Sequence, residues 1–201
     1  MMDFSLLEII GTLIGVLYLV LEYRANVWLW PVGVIMPLIY IFVCYDAGIY
    51  ADMGINVYFF LAAIYGWIVW YKGNSRRSSE GDSSEGEPMS IVRTSRKEWA
   101  WCAVVFAAVF ALLAYILINF TPSTVPYSDS FTTSLSVVGM WMLAHKRIEH
   151  WLLWVAVDAV STVMYINKGL YPTSGLYLLY TIIAIAGYFK WQRMMRSEKA
   201  R

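Results

Sequence analysis

The chain has 201 residues, of which 60% are hydrophobic and only 14% are charged, and its mean hydropathy is +0.57. Soluble domains are about half apolar and a quarter charged, so this composition excludes an ordinary soluble protein. A formal net charge of +1 gives no reason to expect a nucleic-acid partner, and the two cysteines belong to no Cys/His cluster that would bind a metal. The sequence therefore predicts an all-α integral membrane protein in contact with lipid.

Seven apolar runs follow one another along the chain. A bilayer core about 30 Å thick needs about 20 apolar helical residues, and shorter runs are tolerated when they are tilted or anchored. The predicted transmembrane helices cover residues 4–22, 27–45, 54–71, 99–120, 131–145, 151–166 and 174–191. Residues 73–98, rich in serine, glycine and charge, are predicted to be a solvated cytoplasmic tether, and residues 194–201 a cytoplasmic tail.

The distribution of lysine and arginine predicts the orientation of the helices. Fourteen of the fifteen basic residues fall in the first, third and fifth connections or at and after the end of the last run, and only Lys168 falls on the other side. The positive-inside rule then places the N-terminus outside and the C-terminus in the cytoplasm. We therefore expect an integral membrane protein with this orientation.

Two blocks of residues recur along the chain in the same order, which indicates an internal repeat. One block recurs at an interval of 124, pairing Gly15, Asn26 and Trp30 with Gly139, His150 and Trp154. A second recurs at an interval of 121, pairing Gly48, Tyr50, Gly66 and Trp70 with Gly169, Tyr171, Gly187 and Trp191. The two intervals differ by three, so three residues would have been lost between the blocks.

The repeat predicts a 3+1+3 architecture. Residues 1–72 form the first three-helix repeat, residues 121–193 form the second, and the run at 99–120 links them. Because three helices cross the membrane an odd number of times, one additional helix is needed to give both repeats the same orientation. Two parallel repeats related by an axis along the membrane normal would enclose a path at their interface.

The sixth run carries the clearest candidate site. Asp158 lies near its middle, where an ionisable residue is costly unless it faces a cavity or a partner. Trp151, Trp154 and Asp158 are spaced at i, i+3 and i+7, which places them along one helix face. Two indoles and a carboxylate suit a flat cationic ligand, because an indole face attracts cations more strongly when water is excluded. Interfacial anchoring of Trp151 and helix-helix hydrogen bonding by Asp158 remain the alternatives.

The repeat indicates further candidates on the third and seventh runs. Asn56 corresponds to Tyr177, and Phe59 corresponds to Tyr180, at the interval of 121. Buried amide and phenol groups need hydrogen-bond partners, which a ligand or a neighbouring helix could supply. Asn56, Tyr177 and Tyr180 are therefore included as candidate substrate-binding residues.

Other polar residues of the apolar runs favour the membrane interface. The acids Glu8, Glu22 and Asp52 fall near helix ends, and the two histidines, His145 and His150, fall at a helix boundary. No phosphate-binding loop, HExxH or GxSxG motif occurs, so we predict neither an enzyme nor a bound cofactor.

Three motifs give the chain a resemblance to a known family. The W151-LL-W154-VAV-D158 pattern resembles the WxxWxxxN/D signature of the Pnu vitamin transporters, and IYGW at residues 64–67 and NxxxW from Asn26 to Trp30 also fit. Apart from the tether and the tail, the similarity spans the chain. It implies a SWEET-like fold, a homotrimer, and a binding region that contains Trp151, Trp154 and Asp158.

The resemblance also implies a transport mode. Members carry their substrate by facilitated diffusion without ion coupling, and a separate kinase traps it inside the cell. Here His150 and Asp158 stand where many members that carry nicotinamide riboside have asparagine. Nicotinamide riboside and thiamine are both flat cations that a carboxylate would favour, and the family also has a riboflavin branch. Nicotinamide riboside is the first expectation and thiamine the second, while a heptahelical sensor would bind a ligand without passing it.

Overall fold

The computed structural model describes residues 4–46, 48, 50–79, 89–121 and 123–199, except for the side chains of residues 4–12, 50–52, 74–79 and 199. The regular structure of this part consists of seven α-helices. They are α1 (Phe4–Tyr23), α2 (Leu29–Asp46), α3 (Tyr50–Ser79), α4 (Arg96–Phe120), α5 (Pro126–Ala144), α6 (His150–Asn167) and α7 (Tyr171–Lys199). The all-helical fold with seven helices is confirmed.

Four of these helices, α2, α3, α4 and α7, contain a stretch that is long and apolar enough to cross a membrane. The helices α5 and α6 are not among these four, and several of their polar side chains are buried within the protein. Ser130, Ser134 and Ser136 of α5 and Ser161 of α6 are all buried. The serine hydroxyls of α5 donate to the carbonyl four residues earlier in the same helix, which satisfies them without water. The polar residues that lower the hydropathy of α5 and α6 are therefore enclosed by protein rather than exposed to solvent.

Several helices extend beyond the predicted apolar runs. The helix α3 continues to Ser79 and α7 to Lys199, because a helix that leaves the hydrocarbon needs backbone hydrogen bonds but no longer needs apolar side chains. At the other end of the tether, α4 begins at Arg96. Ser95 and Glu98 form a capping box there, in which the Ser95 Oγ accepts from the Glu98 N–H and the Glu98 carboxylate accepts from the Ser95 N–H.

The chain divides into two compact units, residues 1–89 and 90–201. In the first unit α1 packs on α2, and α2 packs on α3. In the second unit α4 packs on α5, α5 on α6, and α6 on α7. Cys102, Val138, Met142 and Leu153 form an apolar cluster where α4, α5 and α6 meet. The helices α5 and α6 thus have a packed neighbour on each side, which explains why they can carry polar residues.

Backbone geometry relates the two units by a single interval of 121 residues. The Ala25 N–H donates to the Glu22 carbonyl, and Lys146, 121 positions later, donates to the Leu143 carbonyl in the same way. Ala25 and Lys146 both adopt the left-handed conformation, with φ of 50° and 48°. Gly48 and Gly169 likewise share a φ of 72° and cap the second helix of their repeats. The turns before and after that helix are therefore equivalent in the two units.

Tryptophan packing follows the same interval. In the first unit the indole of Trp30 lies against the backbone of Gly66 and meets Trp70 edge-on, with ring centroids 5.5 Å apart. In the second unit Trp151 lies against Gly187 and meets Trp191 edge-on at 6.0 Å. Because glycine has no Cβ, each indole can approach the neighbouring helix closely. The structural equivalent of Trp30 is thus Trp151.

This register corrects the interval of 124 that the sequence suggested for the first block. Trp30 pairs with Trp151 rather than with Trp154, and no residues were lost between the blocks. Trp154 instead occupies the position of Gly33. The pairing is complementary, since Tyr18 packs on Gly33 in the first unit, whereas Trp154 packs on Gly139 in the second. Each pair has one large and one small residue, with the sizes exchanged between the two helices.

Residues 90–95, here called the strap, join the start of α4 to the end of the second unit that contains the α5–α6 connection and the last turns of α7. Val92 forms an isolated parallel β-bridge with Arg147 in the connection between α5 and α6. The N–H and hydroxyl of Thr94 both donate to Glu149 Oε2 at 2.8 Å. The Ile91 N–H donates to the Glu198 carboxylate at 3.1 Å. The end of the predicted tether is therefore hydrogen-bonded, while residues 80–88 lie outside the described part.

Two expected interfacial residues are buried instead. Glu22 has 2% of its surface exposed and His150 has none exposed, so neither reaches headgroups or water. A helix end is not necessarily at the interface, because packing against neighbouring helices can enclose it. The side chains of the other two expected interfacial acids, Glu8 and Asp52, lie outside the described residues.

Candidate functional site

The candidate site lies on the face of α6 that packs against α7. Trp151, Asp158 and Tyr165 follow one another at seven-residue intervals, which places them on one side of a helix in three successive layers. Because α6 and α7 are antiparallel neighbours, each layer meets a different level of α7. Named in order from the start of α6, and without reference to the side of the membrane, the interface has an inner tryptophan layer, a middle carboxylate layer and an outer tyrosine layer.

The inner layer is tightly packed. Trp151 is 1% exposed. Three carbons of its ring lie only 2.7 Å from the position that a Cβ on Gly187 would take. Its ring centroid is 4.8 Å from that of His150 and 6.0 Å from that of Trp191. His150 also contacts Trp191 at 4.6 Å, and its Nδ1 lies 2.7 Å from the Arg147 carbonyl. This layer joins α6 to α7 and corresponds to the Trp30 layer of the first unit.

The middle layer contains Asp158, which is 9% exposed. Its carboxylate interacts electrostatically with the hydroxyl groups of Tyr177 and Tyr180 on α7. The Thr162 hydroxyl donates to the Asp158 carbonyl at 2.7 Å, and the Ser174 hydroxyl donates to the Thr162 carbonyl at 3.2 Å. A buried carboxylate surrounded by phenol groups offers a negative charge and several hydroxyl donors to a cation that carries its own hydroxyl groups.

Two stacked tyrosines form the outer layer. The rings of Tyr165 and Tyr177 are nearly parallel, with centroids 5.2 Å apart and an interplanar angle of 13°. Tyr177 also meets Tyr180 edge-on at 6.0 Å, which connects the outer layer to the carboxylate below it. The Lys168 ammonium lies 5.8 Å from the centroid of the Tyr165 ring. Three tyrosine rings and one ammonium group therefore lie next to one another at this end of the α6–α7 interface.

Trp154 points to the other neighbour of α6. Its ring lies 3.6–3.7 Å from the position of a Cβ on Gly139, so it packs on α5 rather than on α7. The ring is half-buried, in contrast to that of Trp151. The two tryptophans of the motif therefore differ in surroundings, and only Trp154 keeps part of its surface open.

Comparison of the two units separates architectural residues from candidate binding residues. At the interval of 121, Trp151 has a tryptophan counterpart, whereas Trp154 and Asp158 correspond to Gly33 and Pro37. A residue found at both positions serves packing that both units need. The Trp154 indole also packs on Gly139, so the Asp158 carboxylate is the one of the two features that packing does not require.

The structure brings together three of the six predicted residues, Asp158, Tyr177 and Tyr180. Trp154 and Trp151 flank them on α6, and Asn56 is half-buried on α3 of the first unit. Sequence reasoning missed Tyr165, whose ring stacks on Tyr177. The seven-residue interval from Asp158 could have revealed it, because that interval returns to the same helix face.

Comparison with known proteins gives consistent results. Residues 5–193 match the family described as Nicotinamide mononucleotide transporter. The nicotinamide riboside transporter PnuC of Escherichia coli (strain K12) is 28% identical, over 99% of this chain and 90% of the relative. The riboflavin/roseoflavin transporter RibM of Streptomyces davaonensis is 25% identical, over 95% of this chain and 86% of the relative. These relatives are transporters and not enzymes.

A solved structure shows the same fold. The crystal structure of the vitamin B3 transporter PnuC superimposes with a TM-score of 0.66 at 19% identity, covering 92% of this chain and 79% of the other. At this identity the likeness concerns the fold alone. The family match and the apolar helices together identify an integral membrane protein of the transporter type.

Proposed function

Since the chain belongs to the Nicotinamide mononucleotide transporter family, we propose that it carries a cationic vitamin precursor, nicotinamide riboside, across the bacterial inner membrane by facilitated diffusion. The observation that carries this proposal is the buried Asp158 carboxylate in the middle layer between α6 and α7, next to the outer tyrosine layer. Burial of a carboxylate within the membrane is costly, and a cationic ligand offsets part of that cost each time it binds. A separate kinase that phosphorylates the nucleoside inside the cell would keep the gradient directed inward.

The ligand chemistry fits the layers in a definite way. The pyridinium ring of nicotinamide riboside is flat and positively charged, so it suits the aromatic faces of Trp154 and Tyr180 next to Asp158. The ribose hydroxyls and the carboxamide match the phenol groups of Tyr177 and Tyr180. Asn56 of the first repeat is a further polar partner in this proposal, and Trp151 belongs to the binding region as the residue that positions α6.

The proposal includes the architecture that the repeat indicates. Residues 1–72 and 121–193 form two parallel SWEET-like repeats, and α4 is the linking helix of a 3+1+3 arrangement. The N-terminus lies outside and the C-terminus in the cytoplasm, as the basic residues predict. We propose a homotrimer without ion coupling, in which each protomer has its own substrate path.

Thiamine is the second candidate, because it is also a flat cation that a carboxylate would favour. The similarity to a riboflavin/roseoflavin transporter makes riboflavin a necessary third ligand in any test. Riboflavin carries no positive charge, so the Asp158 carboxylate attracts it much less strongly than it attracts the two cations.

Calorimetric titration of the purified protein with nicotinamide riboside, thiamine and riboflavin tests the assignment. We expect the tightest binding for nicotinamide riboside. Asp158→Asn keeps the side-chain size and removes the charge, so affinity for the cation should fall about tenfold to a hundredfold, the value of a charge-assisted hydrogen bond. Equal affinity of variant and parent for nicotinamide riboside would remove Asp158 from the site.

Uptake into reconstituted vesicles separates a transporter from a sensor. A transporter equilibrates labelled nicotinamide riboside across the bilayer without ATP or an ion gradient, whereas a heptahelical sensor binds the ligand and leaves the vesicle interior empty. Binding without uptake by the parent protein would refute the transport proposal.

A further inference from the structure

A lysine closes the helix that carries the candidate site. Lys168 follows the last turn of α6, and its N–H donates to the Met164 carbonyl at 3.1 Å. Gly169 and Leu170 then donate to the carbonyls of Ile166 and Tyr165, each at 2.9 Å, and Gly169 has a φ of 72°.

This is the hydrogen-bond pattern of a Schellman cap, which fixes the backbone on both sides of the lysine. Because Lys168 lies three positions after Tyr165, the two side chains share a helix face. The cap therefore holds the lysine beside the outer tyrosine layer.

The lysine uses this placement to contact the aromatic pair. Its Nζ lies 5.8 Å from the centroid of the Tyr165 ring, within the range of a cation-π interaction. The same ring stacks on Tyr177, which interacts with the Asp158 carboxylate. A protein cation thus already rests on an aromatic pair of which one member, Tyr177, interacts with the carboxylate.

We propose that Lys168 is a resident cation of the site, which competes with cationic substrates for the outer tyrosine layer. This inference rests on the proposed function. A substrate cation that reaches Tyr165 must either displace the ammonium or share the ring with a like charge, and both cost free energy. The ammonium returns to the ring when the substrate leaves, so it weakens binding and facilitates release.

The position of the charge in the sequence is consistent with a specific role. Lys168 is the single lysine or arginine on the predicted outer side, where the positive-inside rule does not require a basic residue. Its side chain is exposed, so it is free to leave the ring when a substrate arrives. Facilitated diffusion depends on release as much as on binding, and a tethered competitor serves release.

Replacement of the lysine by a neutral residue tests the competition. Lys168→Gln should bind nicotinamide riboside about two- to fivefold more tightly than the parent by calorimetry, the gain expected from an exposed cation-π contact. Lys168→Arg keeps the charge and should keep the parent affinity. Lys97→Gln, an exposed lysine in the first turn of α4, removes the same charge elsewhere and should leave affinity unchanged.

A neutral form of the same ligand separates charge from space. The dihydro form of nicotinamide riboside has an uncharged ring, so Lys168→Gln should not improve its binding. Equal gains for the charged and the neutral form would attribute the effect to freed space and overturn the proposal. Unchanged affinity for the cation in Lys168→Gln would also overturn it. If the parent protein binds neither form, the proposed function fails and this inference fails with it.

Discussion

Substitution of Gly66 by alanine tests the packing rule that both units share. A Cβ at this position would lie 2.2, 2.3 and 2.4 Å from three carbons of the Trp30 ring, whereas carbon atoms in contact are normally about 3.5–4.0 Å apart. To reach a normal contact distance, the Trp30 ring and the new Cβ must therefore move apart by roughly 1 Å or more. Trp30 is fully buried and meets Trp70 edge-on, so the indole has little room to move.

The expected loss is about 2 kcal/mol. Overpacking of a well-packed core costs about 1–3 kcal/mol, and the severity of this overlap favours the upper end. Alanine recovers up to about 1 kcal/mol of helix propensity relative to glycine. For a protein of this size a net loss of about 2 kcal/mol lowers the melting temperature by about 4–8 °C.

Thermal unfolding in one detergent, followed by loss of the monodisperse peak in size-exclusion chromatography, measures the effect. Gly54→Ala is the matched control, because Gly54 lies on the same helix and a Cβ there would meet nothing within 4 Å. The equivalent Gly187→Ala brings its Cβ within 2.7 Å of Trp151, so its loss should be smaller but of the same sign. If Gly66→Ala melts at or above the temperature of Gly54→Ala, the packing argument is wrong.

Three further predictions concern residues near the helix ends. Burial holds the pKa of Lys146 at about 8, although Glu198 opposes the shift. Below pH 8 the ammonium is charged in both the folded and the unfolded state, and its burial lowers the free energy of unfolding by about 3 kcal/mol. Between pH 8 and 10.5 the folded state releases this proton first, so the free energy of unfolding of the parent should increase between pH 7 and 9.5. Lys146→Met should lack this increase, and parallel pH profiles of variant and parent would contradict the assignment. Glu149→Gln should lower the free energy of unfolding by about 1–2 kcal/mol, because the Glu149 carboxylate accepts two hydrogen bonds from Thr94. An equal loss in a Thr94→Val background would show that the two residues are not coupled. Ala25→Gly should raise the free energy of unfolding by about 1 kcal/mol, because Ala25 has a φ of 50° and glycine adopts this left-handed conformation without strain. A lower melting temperature for the variant would show that Ala25 is not strained.

Candidate site residues could be named from the sequence, but their grouping could not. A carboxylate in the middle of an apolar run indicates Asp158 as a candidate without any coordinates, because an ionisable residue at that depth is costly to bury. The spacing of Trp151, Trp154 and Asp158 indicated one face. The structure divides that face, since Trp151 packs on α7 and Trp154 packs on α5. A helix of limited width can serve two neighbours, and spacing alone does not tell which neighbour a side chain meets.

The sequence by itself determined the membrane class, the seven helices and the family, because apolar length and motif spacing are properties of local segments. Orientation and the residues that contact the substrate stay predictions. Only the tertiary structure decided the register of the repeat at 121 and, with it, the equivalence of Trp151 to Trp30. It also placed Tyr165 and Lys168 beside the carboxylate layer. The register depends on where a glycine in one helix allows an indole from another to approach, and these contacts join residues 36 positions apart in the chain.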